Sequence, residues 1–315
     1  MNTIPTVDLS DFTSGDASRK NKFVAELGKA YQEVGFVAVQ NHGIDQQLVD
    51  DFYKAVEDFF ALSESVKRKY EVAGLAGQRG YTSFGKEHAK HSQAADLKEF
   101  WQIGQIIEDG EKISDNYPQN VKVDEITNFN DLGYRLYRSF ETSGAHLLRS
   151  IALFLGLDEN YFDAKIHNGN SILRAIYYPP IKEEPKSAIR AEQHEDINLI
   201  TLLVGASADG LEVMDTNGNW VAVKTAPTEI VVNVGDMLQR LTNNVLKSTT
   251  HRVVNPPKEK WQTPRFSIPF FLHPKSEMDL TCLSSCVTKN NPIDYEPITA
   301  GDYLDERLRE IGLKK

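Results

Sequence analysis

The chain has 315 residues, 40% hydrophobic and 25% charged, with a net charge of −10, an ordinary globular composition that can bury a sizeable core. The acidic balance and the lack of a long basic block argue against nucleic acid or an anionic membrane surface as partners. With no apolar stretch near membrane-spanning length, no signal-like start and only Cys282 and Cys286 as thiols, the cytoplasm is the expected compartment and both cysteines are read as reduced and structural.

Residues 4–9 predict a short strand, followed by the polar loop Thr13 to Asp16. Phe23, Val24, Leu27, Ala30, Tyr31 and Val34 fall at helical spacing, and Gly35 ends that helix. Val37 to Val39 continue as a strand into the turn Asn41-His42-Gly43, where His42 is read as structural. A second helix over 46–62 turns Val49, Phe52, Val56, Phe59 and Phe60 inward. Gly74 to Gly85 holds four glycines and scattered aromatics with no period, which predicts a loop and does not match a phosphate-cradling fingerprint. Lys86, His88, Lys90 and His91 follow, either a solvated loop or a lid that draws in an anionic substrate. A long helix is predicted over Asn130 to Leu155, then a strand over Ile172 to Tyr178 that ends at Pro179, and a loop to Pro185.

The run Ile197 to Val204 reads as a strand, with His194 and Asp196 at its head. Two residues apart, they would project from one face of that strand. Strands follow at 211–214, 220–223 and 229–234, then a β-like run carrying His251 and a strand from Arg265 to Leu272 on which Arg265 and Ser267 share a face. A helix over 299–313 closes the chain and is placed at the mouth of the barrel. His146, His167 and His273 lack comparable company and are read as structural. Many short strands at close spacing predict a mainly β protein with flanking helices and a double-stranded β-helix, or jelly roll, at its centre. No repeat or linker divides the chain, so one domain is expected over 1–315: a helical and strand-bearing region at 1–120, the core at 170–280, and the C-terminal helix at 299–315.

Two imidazoles and one carboxylate on a triangular face suit non-haem Fe(II) oxygenases, but zinc hydrolases use the same set. The ligands alone leave both open. Arg265-x-Ser267 adds a planar fork and a hydroxyl beside the metal, a clamp for a carboxylate. A keto-diacid that chelates iron at one end and is gripped at the other meets both requirements, and 2-oxoglutarate is such a molecule.

His194-Glu195-Asp196-Ile197-Asn198-Leu199-Ile200-Thr201, Asn233-Val234-Gly235-Asp236, Leu241-Thr242-Asn243, His251-Arg252-Val253 and Arg265-x-Ser267 together resemble the isopenicillin N synthase-like family of Fe(II) oxygenases, its bacterial members included. The resemblance reaches the N-terminus, at Ile4 to Leu9 and Gly35 to Ile44, and so covers nearly the whole chain. It implies Fe(II) on His194, Asp196 and His251, and 2-oxoglutarate held by Arg265, Ser267 and Tyr178, with O2 as the third participant. Ile176 stands where many plant-type members carry an Asn that also contacts 2-oxoglutarate. The resemblance also places the Gly74 to Gly85 region beside the substrate, which makes Arg79, Tyr81 and Phe84 candidate contacts. Asp96 to Trp101 resembles the motif that closes that region, its aromatics either lining the pocket or supporting it.

The implied reaction is oxidative decarboxylation of 2-oxoglutarate coupled to oxidation, most often hydroxylation, of an unidentified small organic substrate. Isopenicillin N synthase and the aminocyclopropane carboxylate oxidases share Arg-x-Ser without using 2-oxoglutarate, so an oxidase of that kind is one alternative. A zinc hydrolase and a non-catalytic binding barrel are the others. Oligomeric state is not read from the sequence.

Overall fold

A computed structural model of the protein describes residues 4–75, 77–87, 95–107, 110–111, 117–185, 188–205 and 209–310. Its strands are β1 (Thr6–Asp8), β2 (Phe36–Gln40), β3 (Gly80–Thr82), β4 (Glu99–Ile103), β5 (Ile172–Tyr178), β6 (Ala191–His194), β7 (Ile200–Val204), β8 (Leu211–Met214), β9 (Trp220–Ala222), β10 (Ile230–Val234), β11 (His251–Val253) and β12 (Arg265–Leu272). They form an eight-stranded sheet in the order β1-β2-β10-β7-β12-β5-β4-β3 and a four-stranded sheet in the order β6-β11-β8-β9. Only the β1–β2 pair is parallel among these. This is a jelly roll whose large sheet is extended at both edges by strands from the first third of the chain.

The large sheet is two-faced, and β12 shows why. Phe266, Ile268, Phe270 and Leu272 belong to the main hydrophobic core, whereas Arg265, Ser267, Pro269 and Phe271 line a cavity on the other face. Alternation with a period of two separates the sets. A one-residue slip would bury Arg265 in the core and expose four large apolar side chains, each worth roughly 1.5–3 kcal/mol when buried. Bonding to β5 on one side and β7 on the other holds the register.

The core face is covered by helices. Ala17–Glu33, capped by Asp16 accepting from the Ser18 and Arg19 amides, buries Phe23, Leu27 and Tyr31. Gln46–Phe60 buries Phe52, Val56 and Phe59. The helix Phe129–Phe154, about 39 Å long at ~1.5 Å per residue, buries Leu136, Phe140, Leu147 and Ile151 and stacks Phe140 on Phe270 of β12. Gly35 follows the first of these helices at φ 75°, and a Cβ there would come within 2.3 Å of the Lys247 carbonyl oxygen, so glycine alone fits the left-handed turn that starts β2.

Two expectations are corrected. His194 and Asp196 do not share one strand: β6 ends at His194, the chain bends through 197–199, and β7 begins at Ile200. The segment after β1 is helical over Leu9–Thr13 rather than extended. The C-terminal helix is described over Ala300–Glu310; residues 311–315 lie outside the described residues, as do His88, Lys90 and His91. No helix among the described residues is long and apolar enough to cross a membrane.

Candidate active site

Between the two sheets lies a cavity of about 950 Å³. The large sheet supplies β5 and β12 to its wall, the small sheet supplies β6 and β11, and the helix Ala300–Glu310 closes one side with Leu304, Arg307, Leu308 and Glu310. His194 at the end of β6 lies opposite His251 on β11 in the ladder, and their rings stand 4.4 Å apart between centroids. Asp196, in the bend between the sheets, completes a group whose ligand atoms all lie within 4.8 Å of one another.

The arrangement is held from behind. The His194 Nδ1 is 2.7 Å from the Glu192 carbonyl oxygen and the His251 Nδ1 is 3.1 Å from that of Thr249. A carbonyl only accepts, so each imidazole carries its proton on Nδ1 and keeps the Nε2 lone pair for the cavity. On Asp196, Thr201 Oγ1 (2.6 Å) and Asn233 Nδ2 (2.8 Å) both donate to Oδ2, and the Asp236 amide donates to the main-chain carbonyl at 2.7 Å. Oδ1 is left facing the His194 and His251 Nε2 atoms at 4.0 and 3.8 Å, beyond hydrogen-bonding reach yet close enough to share one ion. Burial would raise the Asp196 carboxyl, but the two imidazoles and the bonds from Asn233 and Thr201 outweigh it and hold it below its ordinary range. The His194 imidazole is pushed below its ordinary value by desolvation first and by His251 next. Two neutral nitrogens and an ionised carboxylate are the donor set a divalent cation requires.

Beside this group, Arg265 pairs with Tyr178 across β12 and β5, and Ser267 pairs with Ile176. All four line the cavity. Arg265 is 2% exposed, with its guanidinium carbon 5.0 Å from the centre of the Tyr178 ring.

The three predicted substrate contacts stand elsewhere. Arg79, 1% exposed, lays its guanidinium where a Cβ on Gly104 would collide with it and donates from Nη1 to the Gln78 carbonyl at 2.7 Å. Tyr81 turns into the core against Phe59, with its hydroxyl on Glu99. Phe84 is 49% exposed. None of the three is among the residues that line the cavity. Phe100 and Trp101 support rather than line it, Trp101 packing on Phe59, Tyr70 and Phe129. Lys86 of the expected basic lid pairs with Glu71 at 2.7 Å.

The cavity also presents buried polar side chains around β4, on β5 and at the end of β12, near enough to the triad for Lys98 to act on His194 and Asp196 on His273. Lys98 bonds Glu87 at 2.6 Å and Asp96 at 2.8 Å. Arg174 bonds the Gln102 Oε1 at 2.8 Å and Glu87 at 3.2 Å, its guanidinium lying over Phe100 at 4.3 Å. Burial would raise Glu87, but Arg174 and Lys98 overcome it and bring its carboxyl down to about 2. His273, read from the sequence as structural, follows β12 and lines the same cavity. Its imidazole is brought down to about 4 by burial, aided by Arg79 and Arg174 against the pull of Asp196, so at neutral pH it is uncharged.

Comparison with known proteins fits this geometry. Residues 4–125 match the family described as "non-haem dioxygenase in morphine synthesis N-terminal", and residues 169–274 match the 2OG-Fe(II) oxygenase superfamily. The 2-oxoglutarate-dependent dioxygenase htyE of Aspergillus rugulosus is 30% identical over 97% of this chain and 98% of its own. The chain belongs to the 2-oxoglutarate and Fe(II)-dependent oxygenases. Among solved members of that family, a Caulobacter crescentus protein is 42% identical, covering 99% of this chain and 100% of the other at a TM-score of 0.88. A Neurospora crassa protein solved in complex with alpha-KG is 30% identical, covering 97% of this chain and 95% of the other, at a TM-score of 0.86. This oxygenase is thus an Fe(II)- and 2-oxoglutarate-dependent dioxygenase acting on a small molecule, and a co-substrate-free oxidase is not favoured.

Proposed function

We propose that His194, Asp196 and His251 hold the iron of this dioxygenase and that Arg265, Ser267 and Tyr178 hold the far carboxylate of 2-oxoglutarate. The observation that carries the assignment is the convergence, in one cavity, of the three ligand atoms with the two-residue clamp on β12. When bound, iron supplies the coupling of 2-oxoglutarate oxidation, giving succinate and CO2, to oxidation of the substrate.

The chain's own residues do the positioning. Thr201 and Asn233 occupy one oxygen of Asp196, which presents the other as a single ligand. The backbone carbonyls of Glu192 and Thr249 fix both imidazoles in the tautomer that binds through Nε2. Arg265 grips the carboxylate from a strand locked on both sides, and Ser267 and Tyr178 add hydroxyl donors. Ile176 contributes only apolar surface, so the grip rests on these three. Phe36, Leu203, Val231 and Val253 line the same space and exclude water from it.

The test is anaerobic addition of Fe(II) and then 2-oxoglutarate to the purified protein, followed through the weak visible charge-transfer band of the iron chelate. A band that forms and then fades in air with release of succinate is the expected result. Iron binding without any band would move the clamp to a carboxylate of the substrate itself.

A further inference from the structure

Among the described residues, each lysine and arginine that lines the cavity already has a counter-charge or a task. Lys98 pairs with Glu87 and Asp96, Arg174 pairs with Glu87, and Arg307 pairs with Glu310 at 2.7 Å, while Arg265 serves 2-oxoglutarate in the assignment above. Glu192, Glu195 and Asp236 line the same space and form no ion pair with a lysine or arginine among the described residues. No positive charge is left over for an acid, and bringing an unmatched anion into such a cavity is costly.

Hydrogen bonding on the β5 wall, by contrast, is unfinished. The unpartnered nitrogens of Arg79 and His273 are sealed from the cavity, whereas the Arg174 side chain lines it and is 17% exposed. The Arg174 guanidinium is fixed in place. Its Nε donates to Gln102 Oε1 at 2.8 Å and its Nη1 to the two oxygens of Glu87 at 3.3 and 3.2 Å, and its carbon lies 4.3 Å from the centre of the Phe100 ring and 5.2 Å from that of Phe271. Its Nη2 donates to no group among the described residues and is not one of the sealed atoms. The result is an open donor, held rigidly, near enough to the metal ligands for His194 to act on its partner Glu87. Phe271, partly exposed, adds a flat apolar surface beside it. A fixed donor whose charge is already matched suits a strong neutral acceptor, and a carbonyl oxygen is one.

We infer that Arg174 donates from Nη2 to a carbonyl oxygen of the primary substrate, that Phe271 packs on the group bearing that carbonyl, and that the substrate is uncharged, an amide or a lactam rather than an acid. The inference rests on the site assignment above and deepens it by naming the substrate class. It is opposed to the reading of the Lys86 region as a lid that draws in an anion, and the experiment decides between them.

The probes are benzamide, phenylacetamide and hexanamide, each beside the carboxylate and the primary amine of the same frame, and 2-piperidone beside piperidine. Each is titrated anaerobically into the Fe(II)-2-oxoglutarate complex while the visible band is followed. At least one amide or lactam should shift the band at a concentration ten-fold or more below its charged counterparts. Arg174→Lys, which keeps the charge beside Glu87 and gives up Nη2, should weaken that probe by about ten- to one-hundred-fold, and Arg174→Met should do the same, with the melting temperature of Arg174→Lys unchanged. A carboxylate or amine acting at or below the concentration of its amide, no probe shifting the band, or an undiminished response in Arg174→Lys would each overturn the inference. Equal loss in both variants, with a lowered melting temperature in both, would mark Arg174 as part of the wall's packing and overturn it too. If the band never forms in the unaltered protein, the site assignment fails instead.

Discussion

The metal-ligand cluster on β6 and β11 and the polar wall around β4 and β5 belong to one cavity and are finished differently. At the iron end every ligand side chain is braced by the protein itself: Asp196 by Thr201 and Asn233, each imidazole by a carbonyl. On the β4 and β5 wall, charged side chains brace one another instead: Lys98 and Arg174 both pair with Glu87. Around the cluster neutral donors and carbonyls leave the cavity-facing ligand atoms open to a cation, whereas on the other wall the charges are already matched to one another.

The sharpest way to break this comparison is to remove a ligand. His194→Ala should abolish iron binding and turnover, read as metal content and succinate release, without lowering the melting temperature, because the side chain is 39% exposed; retained iron would mean that the triad is not the site. Arg265→Ala should leave iron in place and weaken 2-oxoglutarate by roughly 2–5 kcal/mol, the cost of truncating one partner of a buried charge pair, as measured by titration of the visible band.

Glu87→Gln probes the β4 and β5 wall through stability rather than affinity. The folded carboxyl sits near 2 against an ordinary 4.5, so its contribution is fully present above 4.5 and is lost as pH falls from there toward 2. The variant should lose about 3 kcal/mol at pH 7 by leaving Lys98 and Arg174 under-compensated, and denaturant melts should show a flatter acid dependence between pH 4.5 and 2. Asn233→Ala should have the smallest effect, about ten- to one-hundred-fold in iron affinity or activity, with 2-oxoglutarate affinity nearly unchanged once iron is saturating. A larger loss at the clamp than at the metal would show that the two are braced together.

The iron end is legible in the sequence because its cues are local and repeated. Arg265 and Ser267 lie two apart on a strand whose bounds match the run of apolar and β-branched residues, and the triad sits at the ends of β-like runs. The same period continued along β12 reaches Phe271 and His273, and continued back along β5 from Tyr178 it reaches Ile176, Arg174 and Ile172. The signal for these cavity-lining positions is therefore present, yet a single histidine carries no chemistry without a neighbour to give it one. The break between His194 and Ile200 is hidden for another reason. No glycine or proline marks it, and the bend is held by Asn198, whose Nδ2 donates to the Ile200 carbonyl and to Thr201 Oγ1, a tertiary use of a residue common in strand ends. Arg79, Tyr81 and Phe84, taken as candidates from the resemblance, are not among the cavity-lining residues, and a glycine-rich segment has no period to say which way a side chain faces. Gly104, remote in sequence, is what admits the Arg79 guanidinium where it lies.

One strand, β12, carries Arg265 at its start and leads directly into His273. Hydrogen-bonded on both sides, it works as a ruler that sets Arg265 and Ser267 at a fixed place on the cavity wall. Loops at the mouth can be exchanged and lengthened without changing that scale, so a descendant enzyme could acquire a new substrate while the distance from grip to reactive centre stays as it was. An insertion within β12 would do the opposite: it would turn one half of the strand to the wrong face of the sheet.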